Sequence, residues 1–546
     1  MEKRLFLAIA LSFLVLYVWS ALRPKSHSDQ VYNQINNPQN IQLPAEEELQ
    51  QKDSSGFDYS QTIDKNIDVT DNTQQKTEKE TFTHVATPKL NLYFTNTGGN
   101  LKTAEIVQYN KTLPISIYGG IEGFNDFDFK LDRLDNYLVS YVYENDELRI
   151  TKNYRVSEDD YLVTLDVILE NKTKMSKQKD IWLNSVKLDI PPHHAKNSVE
   201  ARDQSLYEYF VITNKEQVRK SKAHKFSDKN NKKESAVVDL IGYRDRYFSV
   251  IYKPSQETQA YHIRPIDEDT LSLDISPQEI NIPAGGSESL TATFFIGPEN
   301  LKILNEYNMG FDKVKKFYRF PLFDVIAMLI YYLLHLIHKV IPQWGICILI
   351  ISAIIYFSMY PLTLRGMTSM KKMQSLQPKV LALRDKYKDN PQKLNKEMME
   401  LYRENKINPF GGCLPFLFQM PVFIGLYQVL WRDVSFKGAE FLWIKDLTEP
   451  DRLFTFGFNI PFIGNEFNIL PVVMIVIMFF QQKLTAKNMV IADPDQAAQQ
   501  KMMQRIFPVL LGVIFYKFAS GLTLYFTMFY IYSTFTQWKI SKETAK

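Results

Sequence analysis

Apolar runs of about transmembrane length crowd the C-terminal part of this chain, and no other feature restricts its fold so strongly. A helix needs roughly 20 apolar residues to span a hydrocarbon core of about 30 Å. Runs at 344–362, 413–431, 469–484, 506–518 and 521–537 approach that length, and residues 5–22, LFLAIALSFLVLYVWSAL, add one near the start. Inside lipid every backbone N–H and C=O must be satisfied within its own segment, so these runs predict six transmembrane helices.

Basic residues between the runs set an orientation. The segment 365–406 carries eleven Lys or Arg against five Asp or Glu, which marks it as cytoplasmic by the positive-inside bias. Placing it inside puts both termini in the cytoplasm, loop 432–468 outside, and Lys539, Lys542 and Lys546 of the tail inside. The first run, preceded by Lys3 and Arg4, reads as a retained anchor over 1–23, because SALRPK offers no small-x-small cleavage site.

The first 320 residues read differently. From 24 to 84 the chain is rich in Gln, Asn, Asp, Lys and Ser, which predicts a disordered periplasmic tether. From 85 to 310, short alternating runs such as YLVTLDVIL and LTATFFIG are punctuated by Asn-Thr-Gly-Gly at 96–99 and Pro-Ala-Gly-Gly at 283–286. That pattern predicts a large periplasmic antiparallel β-sandwich. In the region 311–343, the stretch LFDVIAMLIYYLLHLIHKVI carries Asp324, His335, His338 and Lys339, and an amphipathic helix lying in the outer interface accommodates them at less cost than a span.

The fold class is thus a polytopic α-helical membrane protein with a periplasmic β-sandwich. Residues 344–538 form its helical core and 539–546 a cytoplasmic tail. Within the core, 364–407 reads as a cytoplasmic helical hairpin. Asn390-Pro391 supplies a cap and first-turn proline, and Leu394, Met398 and Leu401 share one helical face. Fourteen of the seventeen methionines lie at or after Met328; those of the hairpin, Met370, Met373, Met398 and Met399, are adaptable thioethers suited to varied apolar partners.

Conventional catalysis is not written in the chain. Paired metal ligands, nucleophile elbows and phosphate loops do not occur in a credible context, so no catalytic residue, metal or cofactor is expected. His193-His194 lacks a third ligand, and Asp126, Asp128, Asp132 and Asp135 lack the Gly and closing Glu of a calcium loop. The two cysteines, Cys347 and Cys413, both lie in or beside apolar segments, so no disulfide framework staples the polar region. A net charge of +3 with the basic residues gathered beside the spans gives no ground for nucleic-acid recognition.

What the spans do contain is uncharged polarity: Ser352, Tyr356, Gln419, Tyr427, Gln428, Gln481, Gln482, Thr523, Tyr525, Thr527 and Tyr530. Converging, these groups would line a wet, mildly polar cavity; dispersed, each would bond a neighbouring helix as packing glue. The run 506–518 is only 13 residues, about 20 Å of helix, and a span that short thins the bilayer beside it.

The motifs MYPLTLRGMTSMKKMQSLQPK (359–379), INPFGGCLPFLFQMPVFIGLY (407–427), FLWIKDLTEPD (441–451) and QQKMMQRIFPVLLGVIFYKFASGLTLY (499–525) follow one another in an order that resembles the YidC/Oxa/Alb membrane-protein insertase family, in its Gram-negative YidC form. The resemblance implies a five-helix insertase core in the bacterial inner membrane, enclosing a hydrophilic groove open to the cytoplasm and the lipid. Nascent membrane proteins would be inserted and chaperoned there, alone or with the Sec translocon, and the ribosome would be a weak, transient partner. Ser352 and Phe526 match groove positions that face substrate in relatives, and Phe423 and Met474 match residues lining the same path. Tyr356, Gln419 and Tyr525 complete the candidate set. The chain departs from the family at Tyr356, which stands where a groove arginine is usual; Arg365, nine residues on, lies about 13 Å away on the opposite helix face.

Two other functions compete. A small-solute transporter would show repeated halves with broken helices and intramembrane charges, and a tethered carbohydrate enzyme would leave five spans without a purpose.

Overall fold

The computed structural model describes residues 80–543, apart from 114, 117, 180–181, 190–206, 222–225, 227–229, 269, 278–279, 319, 388–389, 409–413, 461–463 and 488–493. The anchor 1–23, most of the tether, His193-His194, Cys413 and the last residues of the tail lie outside the described residues. The chain divides into two compact units: one includes the strands up to Tyr243 and Tyr252–Phe295, and the other joins Arg244–Ile251 to everything from Ile296 on.

The first unit is built of antiparallel β-sheets, the largest of nine strands and the next of six. Its first strand, Phe82–Ala86, starts inside the stretch read as tether, because FTHVA pairs residue for residue with Leu90–Thr95. The strand Leu162–Asn171 alternates strictly: Val163, Leu165, Val167 and Leu169 are buried while Leu162, Thr164, Asp166 and Ile168 are partly exposed. It pairs with Leu148–Val156 on one side and with Ser287–Pro298 on the other. A side chain every second residue on each face is what fixes this register, since a one-residue slip would turn the apolar set outward.

The Asn-Thr-Gly-Gly signal is a turn in which Gly98 and Gly99 hold φ of 70° and 59°, a region that side-chain-bearing residues avoid. A fully buried lysine anchors it. Lys152 Nζ donates to the Gly98 carbonyl at 2.6 Å and to Asn100 Oδ1 at 2.8 Å, and sits 5.0 Å over the Phe129 ring. Burial drags the Lys152 amine down from the ordinary lysine range to about 7. In the acidic cluster, Asp128 accepts from the Asn96 amide and Asp135 pairs with Arg133.

The second unit is helical. Its helices are α1 (Leu301–Glu306), α2 (Pro321–Val340), α3 (Trp344–Ser375), α4 (Gln377–Lys386), α5 (Pro391–Glu404), α6 (Leu414–Arg432), α7 (Ile469–Lys487), α8 (Pro494–Phe515) and α9 (Ser520–Glu543). A common apolar core draws Leu334 from α2, Ile348 and Ile351 from α3, Leu426 and Val429 from α6, Met474 and Met478 from α7, and Leu522 from α9. Helices approach closely where a side chain is missing. A Cβ at Gly512 of α8 would lie 2.1 Å from the end of the Ile475 side chain of α7, so a larger residue there would make Ile475 change rotamer.

Three expectations change in detail. First, α3 does not stop at 362: it runs for 32 residues through Pro361, about 48 Å of helix. The charged segment 364–407 therefore opens with the end of α3 and continues through α4 and α5. Second, two of the four polar residues of α2 are engaged within the helical unit, as Asp324 accepts from the backbone N–H groups of Phe317 and Tyr318 and His335 meets Asp433, while Lys339 is exposed. The outward face of α2 is apolar, with Leu322, Val325, Leu329, Leu336 and Val340 exposed, and by length and composition the helix could cross a membrane. Third, loop 432–468 contains a β-hairpin, Phe454–Ile460 with Gly464–Phe467. The cap at Asn390 has its expected form: the side chain accepts from Lys393 N at 3.1 Å.

Candidate functional site

The uncharged polar residues of the helices resolve into pairs, and the pairs share one partner helix. Gln419 of α6 donates Nε2–H to the buried hydroxyl of Tyr525 at 2.7 Å. Tyr356 of α3 donates to Thr536 Oγ1 at 2.8 Å. From α7, Gln481 reaches Ser533 at 3.4 Å, and Thr485 accepts from Gln537 at 3.0 Å. Tyr525, Ser533, Thr536 and Gln537 all belong to α9, and at about 100° per residue they fall within roughly 120° of one another around it. The result is a seam of hydroxyls and amides, without a charge, along the inward side of the last helix.

Other candidates behave differently. Ser352 is fully buried but turns back on its own helix, donating to the Ile348 carbonyl at 2.5 Å. Thr523 and Thr527 likewise bond the carbonyls of Ala519 and Thr523. Such back-bonding uses the hydroxyl's one proton and leaves its oxygen able to accept a further bond. Buried Oε1 of Gln428 has no hydrogen-bond partner, a polar demand that no protein group meets.

Beside the Gln419–Tyr525 pair lies an aromatic cluster. Phe423 of α6 and Phe526 of α9 have ring centroids 5.3 Å apart, Phe515 stands 4.9 Å from Phe526, and Phe518 lies 5.5 Å from Tyr427. Met474 is fully buried in the adjoining core. Of the sequence-selected residues, Gln419, Phe423, Tyr525 and Phe526 thus come together, while Tyr356 bonds α9 further along, eleven residues from Tyr525 at Thr536. Of the hairpin methionines, Met373 at the end of α3 and Met398 of α5 are half-buried and Met399 is exposed, while the Met370 side chain lies outside the described residues.

Sequence reasoning missed Thr485, Ser533, Thr536 and Gln537, because it weighed polar residues one span at a time. The spacing of Ser533, Thr536 and Gln537 along α9 was the available signal. It also missed the network around Asp433. That carboxylate is fully buried just past α6, with Oδ2 2.8 Å from His335 Nε2 and Oδ1 accepting from Ser435 N at 3.1 Å. Burial pushes the Asp433 carboxyl up, but the His335 hydrogen bond and the charge of Lys315 outweigh it and hold it below the ordinary carboxylate range. Nearby, Arg244 is buried on Glu299 at 2.9 Å and on the Val314 carbonyl at 3.1 Å, and Arg246 donates to the carbonyls of Trp431 at 2.7 Å and Thr448 at 3.1 Å.

Residues 336–546 match the family model of the 60Kd inner membrane protein, and residues 125–333 match that of the YidC periplasmic domain. The chain is 31% identical over 405 residues to the membrane protein insertase YidC of Janthinobacterium sp. strain Marseille, covering 73% of this chain and 69% of that protein. It is 33% identical over 323 residues to the YidC insertase of Prosthecochloris aestuarii, covering 57% and 53%. A crystal structure of an active YidC insertase is similar at 21% identity, covering 85% of this chain and 93% of that one, with a TM-score of 0.35.

Proposed function

Because the chain belongs to the YidC family of bacterial membrane protein insertases, we propose that it passes client segments along the uncharged seam of α9. The family places the chain in the inner membrane with a periplasmic β-rich domain, and its function is insertion of membrane proteins, not a covalent reaction. The transporter alternative is not favoured, since the relatives carry the insertase name.

One observation carries the finer reading. Within the region matched by the family model, hydrogen bonds from three helices end on one face of α9 without a single charge. Hydroxyls and amides can exchange such bonds for those of a passing hydrophilic segment at little net cost, because a neutral hydrogen bond is worth only about 0.5–1.5 kcal/mol net. A buried cation would instead hold an acidic segment, and at the position where relatives carry arginine this chain has Tyr356. Phe423, Met474 and Phe526 supply the apolar wall for the hydrophobic part of the client. The apolar part of α8, Gln504–Phe515, is shorter than the hydrocarbon core, which favours local thinning and a lower barrier for polar residues.

In this reading the termini and the α4–α5 hairpin face the cytoplasm, the clients are nascent membrane proteins, and the Sec translocon and, weakly, the ribosome are partners. It also keeps the five-helix core within six spans, with folding assistance as a second role. The test is complementation of a bacterium depleted of its own insertase, scoring growth together with insertion of a small Sec-independent protein. Rescue of both is expected; stable membrane expression with rescue of neither would overturn the reading.

A further inference from the structure

Five large apolar side chains lie exposed around the foot of the β-hairpin in loop 432–468. Phe458 is 65% exposed and Phe454 47%, with Leu453 beside them. Leu442, 75% exposed, and Trp443 form the tip of a two-residue turn that Phe441 and Ile444 close with reciprocal backbone bonds of 2.9 Å. Leu442 holds φ of 54°, a conformation that L-residues reach only with strain, so the backbone works to present that side chain outward.

The hairpin itself is two-sided. Phe454, Phe456 and Phe458 alternate with Thr455, Gly457 and Asn459, which puts three phenylalanines on one face. Phe467 of the second strand stacks on Phe454 at 4.8 Å and extends that face. Charge on the hairpin is paired, Arg452 being held between Glu449 at 3.2 Å and Glu466 of the second strand at 3.0 Å, and Lys445, two residues from Trp443, is exposed.

The foot of the hairpin is welded to the ends of two helices. Asp451 Oδ2 accepts from Ile469 N and Leu470 N, both at 2.9 Å, and so caps α7, while the same oxygen accepts the Trp443 indole N–H at 3.1 Å. Asn468 bonds the hydroxyl and the carbonyl of Tyr516, one residue past α8, at 3.0 and 2.8 Å. A single carboxylate therefore fixes the exposed Trp443 at the level where α7 begins, and a single tyrosine fixes the hairpin where α8 ends.

From this arrangement we infer that the hairpin's phenylalanine face, with Leu442, Trp443 and Leu453, is a lipid-binding surface seated in the outer-leaflet interface beside α8. The inference rests on the orientation proposed above. The surface is continuous with the apolar ends of α7 and α8, and the interface is where aromatic rings with one satisfied polar group are most at home. Its chemistry suits a zwitterionic or anionic phospholipid equally, since no charged side chain lies among the five. Seated there, the rings occupy the depth that the short apolar stretch of α8 leaves unfilled and hold the bilayer thin at that point.

The test uses the full chain in phosphatidylcholine–phosphatidylglycerol vesicles, carrying Cys347→Ala, Cys413→Ser and one new cysteine, Phe458→Cys, labelled with an environment-sensitive fluorophore. Leu453→Cys is a second reporter in case the first disturbs folding, and Asp146→Cys, in an exposed turn of the β-unit, is the aqueous reference. Quenching of the hairpin labels by nitroxide lipids carrying the spin label near the headgroup, with protection from iodide, is the result expected. Labels open to iodide and indifferent to nitroxide lipid would overturn the inference, as would labels shielded from both, which would mean that protein, such as a second copy, covers the surface. Reaction of the Asp146→Cys thiol in intact spheroplasts with a membrane-impermeant reagent checks the orientation separately. Modification only after lysis would overturn both readings, whereas failure of complementation alone would leave the hairpin result standing.

Discussion

His335 Nε2 and Asp433 Oδ2 stand 2.8 Å apart, joining the middle of α2 to the residue that follows α6, and the carboxylate has no exposure to solvent. Lys315 is the lysine whose charge reaches it, and the backbone N–H of Ser435 takes the other oxygen. A buried carboxylate in such company stabilises only as long as it is ionised.

Asp433→Asn should therefore destabilise the helical unit by roughly 3–5 kcal/mol, the usual cost of breaking a buried ion pair from one side. The pH dependence has a definite sign. Since the folded carboxyl lies below its ordinary value of 3.8, its contribution is complete above that value and is lost as pH falls through the lower folded one. Thermal unfolding in detergent should show a constant gap between wild type and variant from pH 7 to about 5, narrowing only in stronger acid; a gap that closed near neutrality would contradict the assignment.

Lys152 gives the opposite slope in the β-unit. Its folded amine near 7 lies below the unfolded 10.5, so between those values the unfolded chain binds more protons and stability rises with pH. The advantage of wild type over Lys152→Gln should grow by a few kcal/mol across that window, read by circular dichroism of the full chain. A difference independent of pH would show that the amine stays charged.

Gln419 and Tyr525 should be coupled. Tyr525→Phe and Gln419→Leu are each expected to cost about 1–3 kcal/mol, because each strands a buried partner, while the double variant costs less than the sum by about 1 kcal/mol. Strict additivity in a double-mutant cycle of thermal stability would mean that the 2.7 Å contact contributes nothing.

Tyr356→Phe removes the bond to Thr536 and should lower stability by about 1 kcal/mol with insertion largely retained. Tyr356→Arg should not raise insertion of clients with acidic tails, since passage along α9 is proposed to depend on neutral groups and on bilayer thinning. A large gain for such clients, set against none in wild type, would show that a groove cation is the missing element.

Much of this architecture is legible residue by residue. Asn390-Pro391 announces its own cap, the alternation of Leu162–Asn171 fixes which face is buried, and Gly98-Gly99 marks a turn that only glycine makes without strain. Local patterns fail where distant residues decide. Pro361 reads as an end to a span, yet α3 continues through it, because a proline sacrifices one backbone bond and a long helix supported on both sides tolerates the loss. The hairpin's FTFGFNI has the period of a strand but lies in a loop weighed only for its side of the membrane. The seam was legible only in half: Gln419 and Tyr525 are conspicuous as polar residues in apolar runs, but which of them meet depends on helix crossings that no single span encodes.

That every interhelical side-chain bond of the seam ends on α9 has a consequence for how the molecule is made. α9 leaves the ribosome after α3, α6 and α7, the helices whose side chains bond to it. Until it arrives, Gln419, Tyr356 and Gln481 wait in the membrane without their partners, so its two dozen residues act as a keystone. A chain stopped just before α9 would carry the other three helices and none of those closures, and quality-control proteases would meet it as an open arch.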